Sequence, residues 1–170
     1  MNIPKLYLET TMFSFYHELR TAPLYIEQKA LVRRIFELIQ ASVYRPYTSA
    51  YTIEEINKEQ QQDKKRKMNT LISDYGITVL ADNEEARKLA QSYIREKAIA
   101  PVWSTDAAHI AIATYYGLDF IVSLNFKHIV RPWTIERVRQ VNTMMNYKVI
   151  GIYKPEEVLE IYEDSRGISE

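Results

Sequence analysis

Short apolar segments alternate with helix-patterned ones along almost the whole chain, and this constrains the fold more than any other feature. Residues 5–9, 43–49, 77–80, 119–124 and 148–152 read as strands. Helical patterns separate them at 24–42, 52–67, 68–75, 83–97, 101–117 and 134–145, and Pro155 opens a last helix at its first turn. Strands joined through helices lie parallel, with helices over both faces of the sheet. The expected class is therefore α/β, with a mainly parallel sheet.

Local chemistry punctuates the pattern. Leu31, Ile35, Leu38 and Ile39 recur at helical spacing. Pro46 cannot donate to a ladder, so residues 43–49 read as an edge strand or a strand entry. Gly76 stops the helix before it. Asn83 is placed to cap a helix whose Glu84 and Glu85 suit the positive end of the dipole. Pro101 and Ser104-Thr105 open the next helix, which stops at Gly117. With 170 residues and no linker, the chain reads as one domain over 1–162, followed by a flexible acidic and polar tail at 163–170.

Composition removes several function classes. There is no cysteine, so disulfides, zinc–thiolate sites and cysteine nucleophiles are excluded. No apolar run approaches the ~18 residues of a membrane span, and no basic-then-apolar leader opens the chain. A cytoplasmic protein without membrane attachment is expected. Lys plus Arg and Asp plus Glu both number 22, so net charge offers no pull on nucleic acid. A local patch would have to supply it. Residues 64–67 are basic but fit a solvated helix face. Residues 127–131, from Lys127 to Arg131, lie nearer the candidate site.

That site emerges from the parallel arrangement itself, because helix starts and strand ends converge on one crevice. Glu9 ends the first strand, and an acid beside a buried run is unusual unless it has partners. Thr10 and Thr11 follow it; their hydroxyls either orient the carboxylate or cap the next segment, and capping is the expected role. Asp106 opens a helix, where acids also serve as caps. His109, three residues on, reads as a structural histidine that can also orient an acid or meet a phosphate. Asn125 ends the fourth strand, where a turn role competes with metal ligation. Ser123, Lys127 and His128 are nearby candidates for supporting or phosphate contacts. Of Glu54 and Glu55, the latter precedes inward-facing Ile56 and is the better site candidate, with Glu54 in reserve. Acids gathered at strand ends suit a magnesium or manganese ion.

The stretches Leu6-Tyr-Leu-Glu-Thr-Thr-Met, Thr48-Ser-Ala-Tyr-Thr-Ile-Glu-Glu-Ile, Asp106-Ala-Ala-His-Ile-Ala-Ile-Ala and Phe120-Ile-Val-Ser-Leu-Asn-Phe-Lys-His resemble the PIN-domain nucleases, which include the VapC-like toxins of toxin–antitoxin pairs. The pieces Arg139-Gln-Val-Asn142 and Ile152-Tyr-Lys-Pro-Glu-Glu-Val-Leu159 extend the likeness toward the end of the chain. The resemblance implies an αβα sandwich and Mg²⁺- or Mn²⁺-dependent endoribonuclease chemistry. It also implies a small antitoxin partner and a homodimer. Carried over by motif, the family's acids fall on Glu9, Glu55, Asp106 and Asn125, with Glu9, Glu55 and Asp106 as metal ligands. Two positions depart from the pattern. Glu9 stands where Asp is common, which moves the carboxylate out by about 1.5 Å. Asn125 replaces an acid, which removes one charge and makes a second ion harder to hold. A catalytically degenerate RNA-binding or regulatory module is the alternative. A nucleotide-using enzyme on a doubly wound sheet fits poorly, because the turn after the first strand has no glycine.

Overall fold

The structure is a computed structural model that describes residues 2–169. Five strands form one all-parallel sheet in the order β3-β2-β1-β4-β5: β1 (Lys5–Leu8), β2 (Arg45–Ser49), β3 (Thr78–Leu80), β4 (Phe120–Val122) and β5 (Gly151–Tyr153). The helices are α1 (Thr10–Tyr16), α2 (Pro23–Gln40), α3 (Ala50–Asn57), α4 (Gln62–Asp74), α5 (Glu84–Arg95), α6 (Ser104–Tyr115), α7 (Pro132–Met144) and α8 (Pro155–Ser169), with a 3-10 turn at Pro101–Trp103 before α6.

β1 shows why the sandwich has two cores. Side chains alternate across a strand, so Leu6 and Leu8 point to one face and Tyr7 to the other. All three are fully buried. Leu6 and Leu8 join Met12, Phe13, Ile35, Phe36, Leu71 and Val158 beneath α1, α2, α4 and α8. Tyr7 joins Leu89, Tyr93, Ile110, Ile112, Val138 and Ile152 beneath α5, α6 and α7. Each fully buried large apolar side chain contributes roughly 1.5–3 kcal/mol.

Helix α6 is buried along most of its length, from Ala107 to Thr114. Its four alanines keep it close to the sheet, and this fixes the position of the polar residues at its first turn. It ends in a Schellman cap: Gly117 at φ 71° donates to the Thr114 carbonyl and Leu118 to that of Ala113.

Several boundaries differ from the sequence reading. Of the two readings of residues 43–49, the edge strand fails and the strand entry holds: β2 lies between β1 and β3, and Pro46 is its second residue. Pro46 is tolerated because Arg45 donates to the Pro4 carbonyl on the β1 side, while the β3 ladder begins only at Tyr47. Proline's missing N–H thus faces a stretch with no partner strand. The polar region expected as one helix over 52–67 breaks between Asn57 and Gln62, and α4 then absorbs the segment expected as a separate helix. Helix α8 continues through Ser169, beyond the start expected for a tail at Glu163. Among the described residues, no helix is long and apolar enough to cross a membrane.

Candidate metal centre

The sheet order reverses direction at β1 and β4. The first three strands run outward from β1 on one side, and β4 and β5 add on the other. Such a switch point opens a crevice at the carboxyl ends of the strands. Four elements deliver polar side chains to it: the β1–α1 junction brings Glu9 and Thr10, α3 brings Glu55, α6 brings Asp106 and His109, and the β4 end brings Ser123 and Asn125.

Glu9 is only 3 % exposed. It caps α1 by accepting from the Thr11 N–H at 3.2 Å through Oε2. Its Oε1 accepts from the hydroxyls of Thr11 at 2.7 Å and Ser123 at 2.5 Å. Thr11 in turn accepts from the Leu124 N–H at 2.8 Å, which ties β1 to β4. Burial and the charge of Glu55 push the Glu9 carboxyl up toward its neutral form, against the pull of His109, Ser123 and Thr11. Glu9 is therefore an acid hydrogen-bonded on both oxygens and held behind the crevice. The capping expected of Thr10 and Thr11 is done by Glu9 instead, because its carboxylate reaches the free helix N–H while the threonine hydroxyls turn toward carboxylates.

Glu55 takes the other threonine: Thr10 donates to its Oε1 at 2.7 Å. His109 Nε2 lies 2.5 Å from the same oxygen. Both protein contacts land on Oε1, which leaves Oε2 for the crevice. Burial alone would raise this carboxyl; the His109 and Thr10 hydrogen bonds outweigh it and hold Glu55 ionised, below the usual range. Glu54, one residue earlier, is exposed.

His109 is completely buried, too deep to meet a phosphate. Its Nδ1 lies 2.6 Å from the Tyr7 hydroxyl, which lies 2.7 Å from the Ser49 hydroxyl. Burial would lower the imidazole pKa, but Glu55, Glu9 and Asp106 overcome it and raise it. In the charged form both ring nitrogens donate, one to Glu55 and one to Tyr7. A buried chain Ser49–Tyr7–His109–Glu55–Thr10 thus orients the carboxylate. Tyr7 and Ser49 went unnoticed in the sequence. The available signal was a tyrosine in an otherwise leucine strand, whose buried hydroxyl requires a partner.

Asp106 sits in the first turn of α6. Burial and the charge of Glu55 raise its carboxyl pKa, while His109, His128 and an Asn125 hydrogen bond pull it down. His128 Nδ1 lies 3.1 Å from Asp106 Oδ2. Asn125 spends its own oxygen on the turn, accepting from the His128 N–H at 3.1 Å. Lys127 is exposed. The basic stretch 64–67 is a solvated helix face, with Arg66 and Lys67 paired to Asp63.

Two groupings overlap here. Ligand atoms of Glu9, Glu55 and His109 all lie within 4.8 Å of one another, close enough to hold a metal ion together. The open cavity of about 360 Å³ is lined instead by Glu55, Val102, Trp103, Thr105, Asp106, Asn125 and His128. They share Glu55. Glu9 and His109 already use both oxygens and both nitrogens within the protein, so the carboxylates facing open space are Glu55 and Asp106. Two acids of like charge at the cavity, one of them with a raised pKa, are an arrangement that a cation relieves.

No protein-family model matches the chain, and neither does any curated protein. Among solved structures, a chain of VapBC2 from Rickettsia felis, crystallised bound to a DNA fragment from their promoter, superposes with a TM-score of 0.53. The match covers 88 % of this chain and 98 % of that one at 10 % identity, so it speaks to the fold. Together with the five-stranded all-parallel sheet, it establishes that this chain has the PIN-like αβα fold.

Proposed function

We propose that the protein is a metal-dependent endoribonuclease, acting in the cytoplasm as the toxin of a toxin–antitoxin pair. The observation that carries this reading is the pair of carboxylates, Glu55 and Asp106, facing one open cavity at the sheet's switch point, with Glu9 and His109 behind them. Glu55 and Asp106 would hold Mg²⁺ or Mn²⁺. This accords with the few carboxylates and several waters such ions prefer. When bound, the ion neutralises phosphodiester charge and makes a water acidic enough to attack.

The chain's own residues do the rest. His109 fixes the Glu55 rotamer and keeps that carboxylate ionised. Asp106 is held by His128 and Asn125. Glu9 anchors the β1–α1 and β4 ends against each other. Asn125, standing where an acid is common, offers its amide to Asp106 and adds no charge, which favours a single ion. The VapBC2 likeness motivates a small protein antitoxin and a homodimer as partners.

A second reading, a non-cleaving RNA-binding module, draws on one observation: Glu9 is hydrogen-bonded on both oxygens and pushed toward neutrality, so less charge reaches the cavity. The two readings part on one assay. Purified protein with Mg²⁺ or Mn²⁺ and mixed structured RNAs should yield fragments that disappear with EDTA and with Asp106→Asn. Intact RNA, bound but uncut in both ions, would favour the module.

A further inference from the structure

The cavity has an aromatic wall that the acid chemistry does not use. Trp103 ends the 3-10 turn and lies three residues before Asp106. It is 44 % exposed, and neighbouring Val102 is 74 % exposed. Its indole lies almost flat on the His128 ring, with centroids 4.0 Å apart and planes 21° apart. His128 is in turn held at both ends, by its ring to Asp106 at 3.1 Å and by its backbone N–H to Asn125 at 3.1 Å. A large aromatic plane is thus clamped to the same acid that faces the cavity, and both line it.

The other tryptophan makes the contrast. Trp133 donates its indole N–H to the Lys97 carbonyl at 2.9 Å and lies under the Arg137 guanidinium at 4.3 Å. Its polar edge and one face are in use. Among the described residues, no acceptor takes the Trp103 N–H. Exposing so much apolar ring beside a polar cavity gives up burial that folding would otherwise favour, and the His128 stack holds the ring in one orientation.

We infer that Trp103, backed by His128, is a stacking platform for an unpaired nucleobase next to the scissile phosphate. This rests on the nuclease reading for the word scissile, but not for the binding. Bases of any identity have a flat π-face, so aromatic stacking is strong and tolerant of sequence. An acidic cavity repels phosphate without a cation, so a base held by stacking provides grip that does not depend on charge. Duplex RNA buries its base faces and has nothing to offer this surface.

The test uses the full chain with divalent ions chelated, so that nothing is cut. In a Trp133→Phe background Trp103 is the one remaining indole, and titration with a mixed-sequence single-stranded RNA hexamer should quench its emission saturably. A blunt RNA duplex should not. By fluorescence anisotropy with labelled hexamer, Trp103→Ala should weaken binding roughly tenfold, and Trp103→Phe should retain most of it. Equal affinity of wild type and Trp103→Ala, or quenching by duplex as strong as by single strand, overturns the inference. So does a shift of Trp103→Ala to a smaller oligomer with RNA affinity unchanged, which would make the ring a protein contact. Failure of the nuclease reading is visible separately, as stacked but uncut hexamer when Mg²⁺ is restored.

Discussion

The two ends of the sheet carry cavities of similar size and opposite character. At the amino ends of the strands, a cavity of about 400 Å³ is lined by Lys5, Arg45, Lys148 and Asp119. There a single acid is surrounded by cations: Asp119 takes the Lys148 ammonium at 2.5 Å and the Lys5 backbone N–H at 2.8 Å, and its pKa falls despite burial. At the carboxyl ends, Glu55 and Asp106 face the cavity with Glu9 behind them, and the side chains bonded to the two acids include His109, Thr10 and His128, with no lysine or arginine among the described residues paired to either. A net charge of zero therefore conceals a molecule divided along its strands. The amino end satisfies its one acid internally. The carboxyl end leaves acids to be satisfied by something else, and this difference is why the proposed function is placed there.

Substitutions should reproduce this division. The largest effect is expected from the exposed acids: Asp106→Asn or Glu55→Gln should lower RNA cleavage on the order of 10²–10³-fold, the loss typical of removing one charge-stabilising group, measured by initial rates on a labelled substrate. Next comes the support behind them. His109→Ala breaks the ion pair with Glu55, leaves Glu55 with Thr10 and Tyr7 with Ser49, and empties a fully buried site, so a loss of about 3 kcal/mol in urea unfolding is expected. His109→Gln should fold better yet still cleave about 10–100-fold more slowly.

A third effect concerns pH, and its sign is opposite to that of a stabilising salt bridge. Asp106 has a pKa raised by burial, so its contribution to stability is present below its unfolded pKa and is lost as pH rises through the folded one. Asp106→Asn removes that loss. The Tm of the variant relative to wild type, without divalent ions, should therefore rise from pH 4 to pH 7. A difference that shrinks over that range would mean the acid is compensated inside the protein, as Asp119 is. The smallest effect belongs to the amino end. Lys148→Ala breaks an exposed pair worth about 0.5 kcal/mol and should leave cleavage rates unchanged; a large loss there would break the comparison.

How much of this was legible in the sequence differs between scaffold and site. Strand and helix alternation fixed the sheet type, because each short apolar run is too polar at its flanks to be anything but a strand between crossovers. Pro46 left an edge strand and a strand entry open, and the second holds; the choice depends on which neighbour its missing N–H faces, and register is not local information. That Glu9, Glu55, Asp106 and Asn125 meet at one end of the sheet was legible, but which of them face the cavity was not. Which carboxylate oxygen is used up by Thr10, Thr11, Ser123 or His109 depends on contacts between residues up to 114 positions apart. Trp103 carried no periodic signal and became visible only when its ring was seen on His128.

A crystal of the full chain soaked in Mn²⁺ and measured for anomalous scattering is the most direct test. A single strong peak is expected within coordinating reach of the Glu55 and Asp106 carboxylates at the carboxyl end of the sheet. No peak there, or a peak confined to the Asp119 end, would contradict the proposed site.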